Sequence, residues 1–363
     1  MKIRIGLITA IIGLSLGAAM ADDAAGPYKI VKSEKVGGPG GMDYITVDPA
    51  ARRLYVPRGD HMVAYDADAL TEVGQIPGVA GEHGVVIDPK NGHGFISGRG
   101  AITVFDTATV KQIASIPVQG RPDGISFDPA SERVYVASHQ APNITVINAA
   151  DNSVVGTVDS VGEGIEGCAS DGTHLFCNLE GDSQVAVVNE STLKVTDHWK
   201  LGDGERPTGI GLDAKNHRLF SMCGGNGRIV VLNTDTGAVV ASLTCGAGAD
   251  SGGFNPSTLE AFSANGSDGT LTVVHEDSPD KIVVEQNVPT LPRARSCSVD
   301  IGKNQVYVAG FLYGSPADAA TNPSPPQAQA APGGAPGGAA GGGGRARRVP
   351  PIPDSFTIMI VGR

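Results

Sequence analysis

One pattern recurs seven times along the chain, and it leaves few folds open. An Asp-Pro type of turn stands at Asp48-Pro49, Asp88-Pro89, Asp128-Pro129, Asp171-Gly172, Asp213-Ala214, Asn255-Pro256 and Asp300-Ile301, at spacings of 40, 40, 43, 42, 42 and 45 residues. An aromatic keeps the same period inside a short apolar run: Tyr55, Phe95, Tyr135, Phe176, Phe220, Phe262 and Tyr307. A β-branched run ending in a turn former comes next, at residues 62–66, 102–106, 144–148, 185–189, 229–233 and 271–275. Three markers in one register, at this period, describe stacked supersecondary units.

Each period holds four short strand-like runs separated by turn residues; in the third repeat they are 124–128, 133–137, 144–148 and 153–158. No long segment has helical periodicity. Four-stranded units repeated seven times predict an all-β fold, a seven-bladed β-propeller. The seventh repeat supplies only three runs (296–300, 305–309 and 355–361), whereas an unassigned run at 28–36 precedes the first repeat. Pairing the N-terminal strand into the last blade would close the ring and cover an open edge. Tyr28, Ile30 and Val36 are then expected to bury apolar area there.

The first 21 residues read as a secretory leader: Lys2 and Arg4, an apolar run from 5 to 16, and the small-x-small site Ala19-Met20-Ala21. The apolar run is too short to span a bilayer. The expected mature chain starts at Asp22, is periplasmic or secreted, and forms one domain through 363. The net charge of −11 becomes −13 without Lys2 and Arg4. Such a balance argues against a nucleic-acid partner. A small polar ligand or a partner protein is the expected occupant, and a monomer the expected state. Export permits disulfides, and five cysteines leave at least one thiol without an intrachain partner. A hairpin centred between Gly172 and Thr173 sets Cys168 opposite Cys177, either bridged or packed as two thiols.

Residues 134–138 (Val-Tyr-Val-Ala-Ser), 306–310 (Val-Tyr-Val-Ala-Gly) and 54–58 (Leu-Tyr-Val-Pro-Arg) resemble the Tyr-Val-Thr-Asn motif of the YVTN propeller family. Residues 121–125 (Arg-Pro-Asp-Gly-Ile) and 206–210 (Arg-Pro-Thr-Gly-Ile) resemble that family's blade-opening motif. The likeness covers about residues 40–310 and the tail, and is nearest in style to YncE-like periplasmic propellers. The fourth repeat departs from it, with Leu175-Phe-Cys-Asn in place of the Tyr-Val pair. The resemblance implies architecture rather than chemistry. DNA binding, suggested for some YncE-like relatives, sits badly with the acidic charge.

Residues 315–353 break the repeat. They are rich in Pro, Gly and Ala and carry the basic cluster Arg345-Ala-Arg-Arg348. Such a composition is expected to be disordered and dispensable for folding. A competing reading is a lid or tether drawn to an acidic mouth.

No GxSxG elbow, HExxH, P-loop or dinucleotide fingerprint is present. Equivalent positions of the repeat are more informative. Five residues before each turn stand Asp43, His83, Asp123, Glu166, Thr208, Asp250 and Arg295, and seven before it, in three blades, Arg121, Arg206 and Arg293. These open the inner strands and should ring the top of the central channel as a ligand-binding mouth. Loops between second and third strands add Arg58, His61, Arg99, His139 and Glu180 on the same face. A divalent cation is a candidate cofactor there, with His83, His139 and Glu166 as candidate ligands. The competing reading is loop architecture, with each Asp bonding its own turn and each Arg bracing a neighbouring blade.

Two functional classes follow. One is a binding module acting through the top of the channel. The other is a hydrolase resembling the seven-bladed lactonases, with His83 or Glu166 as base and Arg121 and Arg206 as an oxyanion clamp. No catalytic residue is assigned, because no catalytic signature is present.

Overall fold

The Asp of each repeat earns its place by closing a turn. Asp48 Oδ1 accepts the N–H groups of Ala50 and Ala51 at 2.9 and 3.0 Å, and Asp171 Oδ1 those of Thr173 and His174. Asp88, Asp128, Asp213, Asn255 and Asp300 make the same side-chain bond two residues on. A side chain that bonds the backbone two residues ahead reverses the chain. Each turn joins the innermost strand of a blade to the second.

The computed structural model describes residues 26–139, 143–314 and 350–363. The leader expected at 1–21 and nearly all of the insertion expected at 315–353 lie outside the described residues. Among the described residues there are 28 strands, numbered β1 to β28 in chain order, in seven four-stranded antiparallel sheets. The inner strands are β2 (Thr46–Asp48), β6 (Val85–Asp88), β10 (Pro122–Asp128), β14 (Ile165–Ser170), β18 (Pro207–Asp213), β22 (Ala249–Asn255) and β26 (Ser296–Asp300). The fold is the seven-bladed propeller expected from the repeat.

Each blade buries both faces against its neighbours, so the core falls into seven clusters, one per blade interface. Tyr55, Met62 and Ile76 of blade 1 meet Val85, Ile96 and Phe105 of blade 2, for example. Leu54 and Val56 of blade 1 meet Tyr307 and Ile358 of blade 7 on the other side. The seven repeat aromatics are all fully buried. Stability is therefore a chain of nearest-neighbour terms closed into a circle.

Closure uses the N-terminal strand. β1 (Lys29–Lys35) pairs antiparallel with β28 (Thr357–Gly362), which pairs with β27 (Gln305–Gly310) and so with β26. Tyr28 is buried against Phe262, and its hydroxyl donates to Glu260 Oε2 at 2.5 Å. Gln286 holds both the N–H and the carbonyl of Tyr28. Val36 packs partly on the core, but Ile30 is 41% exposed, contrary to expectation. β1 is the outermost strand of its blade, and a bulge between Ile30 and Lys32 breaks its alternation.

Cys168 and Cys177 are register partners, 4.2 Å apart at Cα, and form a disulfide. Cys223, Cys245 and Cys297 are buried thiols. At the neck of the insertion the chain leaves and returns side by side: Tyr313 bridges Pro351, and Ile352 N–H donates to the Leu312 carbonyl at 2.8 Å. No helix among the described residues is long and apolar enough to cross a membrane.

Candidate binding site at the channel mouth

The residues aligned five before each turn sit where the inner ladder is interrupted. In blades 3 to 6 the register slips between Pro122 and Ile125, Ile165 and Cys168, Pro207 and Ile210, and Ala249 and Ser251. Asp123, Glu166, Thr208 and Asp250 fall inside those slips. In the other blades, Asp43, His83 and Arg295 precede the first residue of β2, β6 and β26. A bulge re-aims a side chain away from the regular pleat. Here it brings Asp123, Glu166 and Asp250 into contacts across the channel opening.

The next position is glycine in blades 2 to 5: Gly84, Gly124, Gly167 and Gly209. A Cβ on Gly124 would lie 2.5 Å from the Glu166 carbonyl oxygen, and one on Gly167 would lie 2.7 Å from that of Thr208. Only glycine lets neighbouring inner strands come so close. Blade 1 has Tyr44 there instead. Its hydroxyl crosses to blade 4 and donates to Glu166 Oε2 at 2.9 Å. Beneath lies a channel cavity of about 320 Å³, lined by all seven inner strands and including Val85, Ile125, Ile210, Phe254 and Cys297.

Around Tyr44 the mouth forms a continuous arc. His83 Nδ1 is 2.7 Å from Asp43 Oδ2 and 3.5 Å from Asp123 Oδ1. The other Asp123 oxygen is 3.8 Å from His139 Nδ1, which is 3.3 Å from Glu166 Oε1. Arg295 closes the far side, 3.2 Å from Asp250 and 3.8 Å from Asp43. Four blades thus contribute ionisable groups to one chain of contacts, and Arg295 of blade 7 extends it to Asp250 of blade 6.

The electrostatics follow from crowding and burial. Burial, then the charge of Asp123, pushes the Glu166 carboxyl up to about 8, although the Tyr44 hydroxyl works against the shift. Burial pushes Asp250 up to about 6, opposed by Arg295. Burial also raises Asp123, with His83, His139 and Arg121 opposing. The hydrogen bond to Asp43 raises His83, and Asp123 adds to it. Burial and four surrounding carboxylates hold the Tyr44 phenol well above its ordinary range. The acids shift as desolvated groups sharing a site do, and His83 rises because its carboxylate partners outweigh its burial.

Several sequence-selected residues stand elsewhere. Thr208 turns its hydroxyl onto the backbone, donating to the Ala249 carbonyl at 3.0 Å, so it joins blade 5 to blade 6 rather than facing a ligand. Arg293 lies over the Tyr313 ring at 4.1 Å, against the neck of the insertion. Arg206 is exposed and paired with Glu180. Arg121 is exposed beside Asp123 and His83. Arg58 is buried: it donates to the carbonyls of Gly37 and Gly38 and lies 4.1 Å over Phe356, so it anchors the entering chain. His61 is tied to Asp60 at 2.6 Å. Sequence reasoning missed Tyr44. Its one signal was a tyrosine in a column otherwise filled by glycine and serine.

No protein-family model matches the sequence, and no curated protein matches it. Solved structures similar to it share its fold. One titled as the structure of U3-55K has a TM-score of 0.66 at 11% identity, covering 78% of this chain and 90% of that one. The RRP9 WD40 repeats give 0.66 at 11%, covering 79% and 91%. A chain of the Mitotic Checkpoint Complex gives 0.69 at 15%, covering 83% and 96%. What they share with this chain is the propeller. At these identities the likeness extends no further.

Proposed function

We propose that this chain is an exported binding module whose channel mouth takes a small polar ligand bearing groups of both charge signs. The observation that carries this reading is the convergence on Tyr44. Carboxylates from blades 1, 3, 4 and 6 crowd around one phenol, in positions that raise the proton affinity of three of them. Loop architecture does not require this. Thr208 shows what an architectural residue at the same position does: it bonds neighbouring backbone and leaves the mouth. Asp43, Asp123, Glu166 and Asp250 instead face one another, with Arg295 and Arg121 at the rim. The acidic arc would hold a ligand's cationic or donor groups and the arginines its anionic groups. The propeller fold, shared with WD40 repeats, supports a binding role in general. The leader and the YVTN-like motifs support export.

A thermal-shift panel of small amino acids, amines and carboxylic acids tests this reading, since a ligand that binds only the folded state raises the melting temperature. At least one compound should stabilise the wild type and lose its effect in Asp250→Asn. A panel with no response, or an equal response in the variant, would count against the mouth. Export is checked by intact mass, which should show the secreted chain starting at Asp22.

One observation favours hydrolysis as a second reading. Asp43 accepts from His83 Nδ1 and thereby leaves Nε2 as the basic nitrogen, the tautomer a general base needs. Arg121 would then stabilise a developing oxyanion, because Arg206 is taken by Glu180 and Arg295 by Asp250. Lactone hydrolysis lost in His83→Ala would favour this reading over simple binding.

A further inference from the structure

One side of the mouth is left incomplete by hydrogen bonding within the chain. His139 Nδ1 is buried and makes no hydrogen bond. Yet Glu166 Oε1 lies 3.3 Å from it, out of line for one, and Asp123 Oδ2 3.8 Å, too far for one. One donor atom each of His139, Glu166 and Glu180 falls within 4.8 Å of the other two. The neighbouring group of Asp43, His83 and Asp123 differs, because His83 Nδ1 there has a full hydrogen bond to Asp43.

Spacing and support both suit a metal. Donors bound to one ion at about 2.0–2.2 Å stand roughly 3.0–3.5 Å apart, close to the His139–Glu166 separation. Each glutamate also has one oxygen already held from outside. Tyr44 donates to Glu166 Oε2, and the Arg206 guanidinium binds Glu180 Oε1. Outer partners of this kind orient ligating carboxylates and leave the second oxygen for the ion.

We propose that His139, Glu166 and Glu180, with Asp123 at the edge of the group, bind one divalent first-row transition metal such as Zn²⁺. An imidazole among the donors favours Zn²⁺, Mn²⁺ or Co²⁺ over Ca²⁺, whose shell is built from oxygen alone. Three protein donors leave a coordination position open toward the mouth. A bound cation would also offset the repulsion between Asp123 and Glu166. This inference rests on the mouth being the binding site and names an ion for it.

The test uses the full chain, stripped with chelator and dialysed against Zn²⁺, with metal counted by elemental analysis and Co²⁺ used as a spectroscopic probe. One Zn²⁺ per chain is expected, together with a visible Co²⁺ spectrum of low coordination number. His139→Ala and Glu166→Gln should each weaken binding at least tenfold, and Tyr44→Phe about tenfold through loss of the outer hydrogen bond. His217→Ala, on the outer surface, should bind as wild type. Glu166→Gln keeps the shape of the side chain, and thermal melts report whether each variant folds. Less than stoichiometric Zn²⁺ in the wild type, or wild-type affinity in both His139→Ala and Glu166→Gln, overturns the proposal. If Zn²⁺ fails while a panel compound still depends on Asp250, the metal site falls and the mouth reading stands.

Discussion

Tyr44 and Glu166 lie 122 residues apart in the chain and on opposite sides of the channel, joined by a 2.9 Å hydrogen bond. The bond ties blade 1 to blade 4 without passing through the blades between them. Tyr44→Phe removes one donor and leaves a buried carboxylate with less support. A loss of about 1–2 kcal/mol is expected in denaturant titration at pH 9, where Glu166 is charged. A smaller loss is expected at pH 6, where it is protonated. An equal loss at both values would mean that the phenol serves packing alone.

Ring closure makes an equally specific prediction. Tyr28→Ala removes a buried ring and its bond to Glu260, and should lower stability by about 3–5 kcal/mol in one cooperative transition. Ile30→Ser, on the exposed side of the same strand, should change it by less than about 0.5 kcal/mol. A separate early transition in the Tyr28 variant would show a frayed end rather than a weakened ring.

The fold was legible in the sequence because its markers are local. Asp48 and its counterparts close turns with their own side chains, and the buried aromatics follow at a fixed offset. The position of the mouth was legible for the same reason: counting back from a turn finds the same place in every blade. What each side chain does there was not legible. Thr208 and Asp250 are equivalent by count, yet a hydroxyl can satisfy a neighbouring carbonyl whereas a carboxylate cannot donate to one. Arg58 carries no sign that Gly37 and Gly38 will pass over it. Ile30 looked like core because the bulge beside it is invisible in composition. His139 was a candidate ligand by its type and loop, but that its Nδ1 would lie 3.3 Å from Glu166 of the next blade was not legible.

The disulfide closes a short hairpin, with Cys168 and Cys177 nine residues apart. The double substitution Cys168→Ala, Cys177→Ala should cost about 2–3 kcal/mol. A non-reduced digest should show the two peptides linked. Recovery of Cys168 only as free thiol would remove the bridge from the account.

Glu276 offers a pH test away from the mouth. It is fully buried, Oε1 accepts from Asn216, and Oε2 has no partner. Burial, then the charge of Asp213, pushes its carboxyl up to about 7. The folded state therefore holds this proton more tightly than the unfolded chain. The resulting stability is complete below about pH 4.5 and is lost as pH rises through 7, a change on the order of 3 kcal/mol. Glu276→Gln keeps the acceptor and removes the charge. It should flatten stability between pH 5 and 8 and raise it at pH 8, as read by urea titration at each pH. An unchanged slope would assign the pH dependence to other groups.

The central claim is that the mouth carboxylates are held for binding and not for loop structure. The melting temperature of metal-free Asp123→Asn, Glu166→Gln at pH 8 tests it without knowledge of the ligand. Neutralising two crowded, buried acids relieves repulsion and desolvation that a binding site maintains at some loss of stability. The account predicts a melting temperature a few degrees above wild type, corresponding to about 2 kcal/mol. A melting temperature below wild type would contradict it, because the two carboxylates would then be structural members of the blade loops.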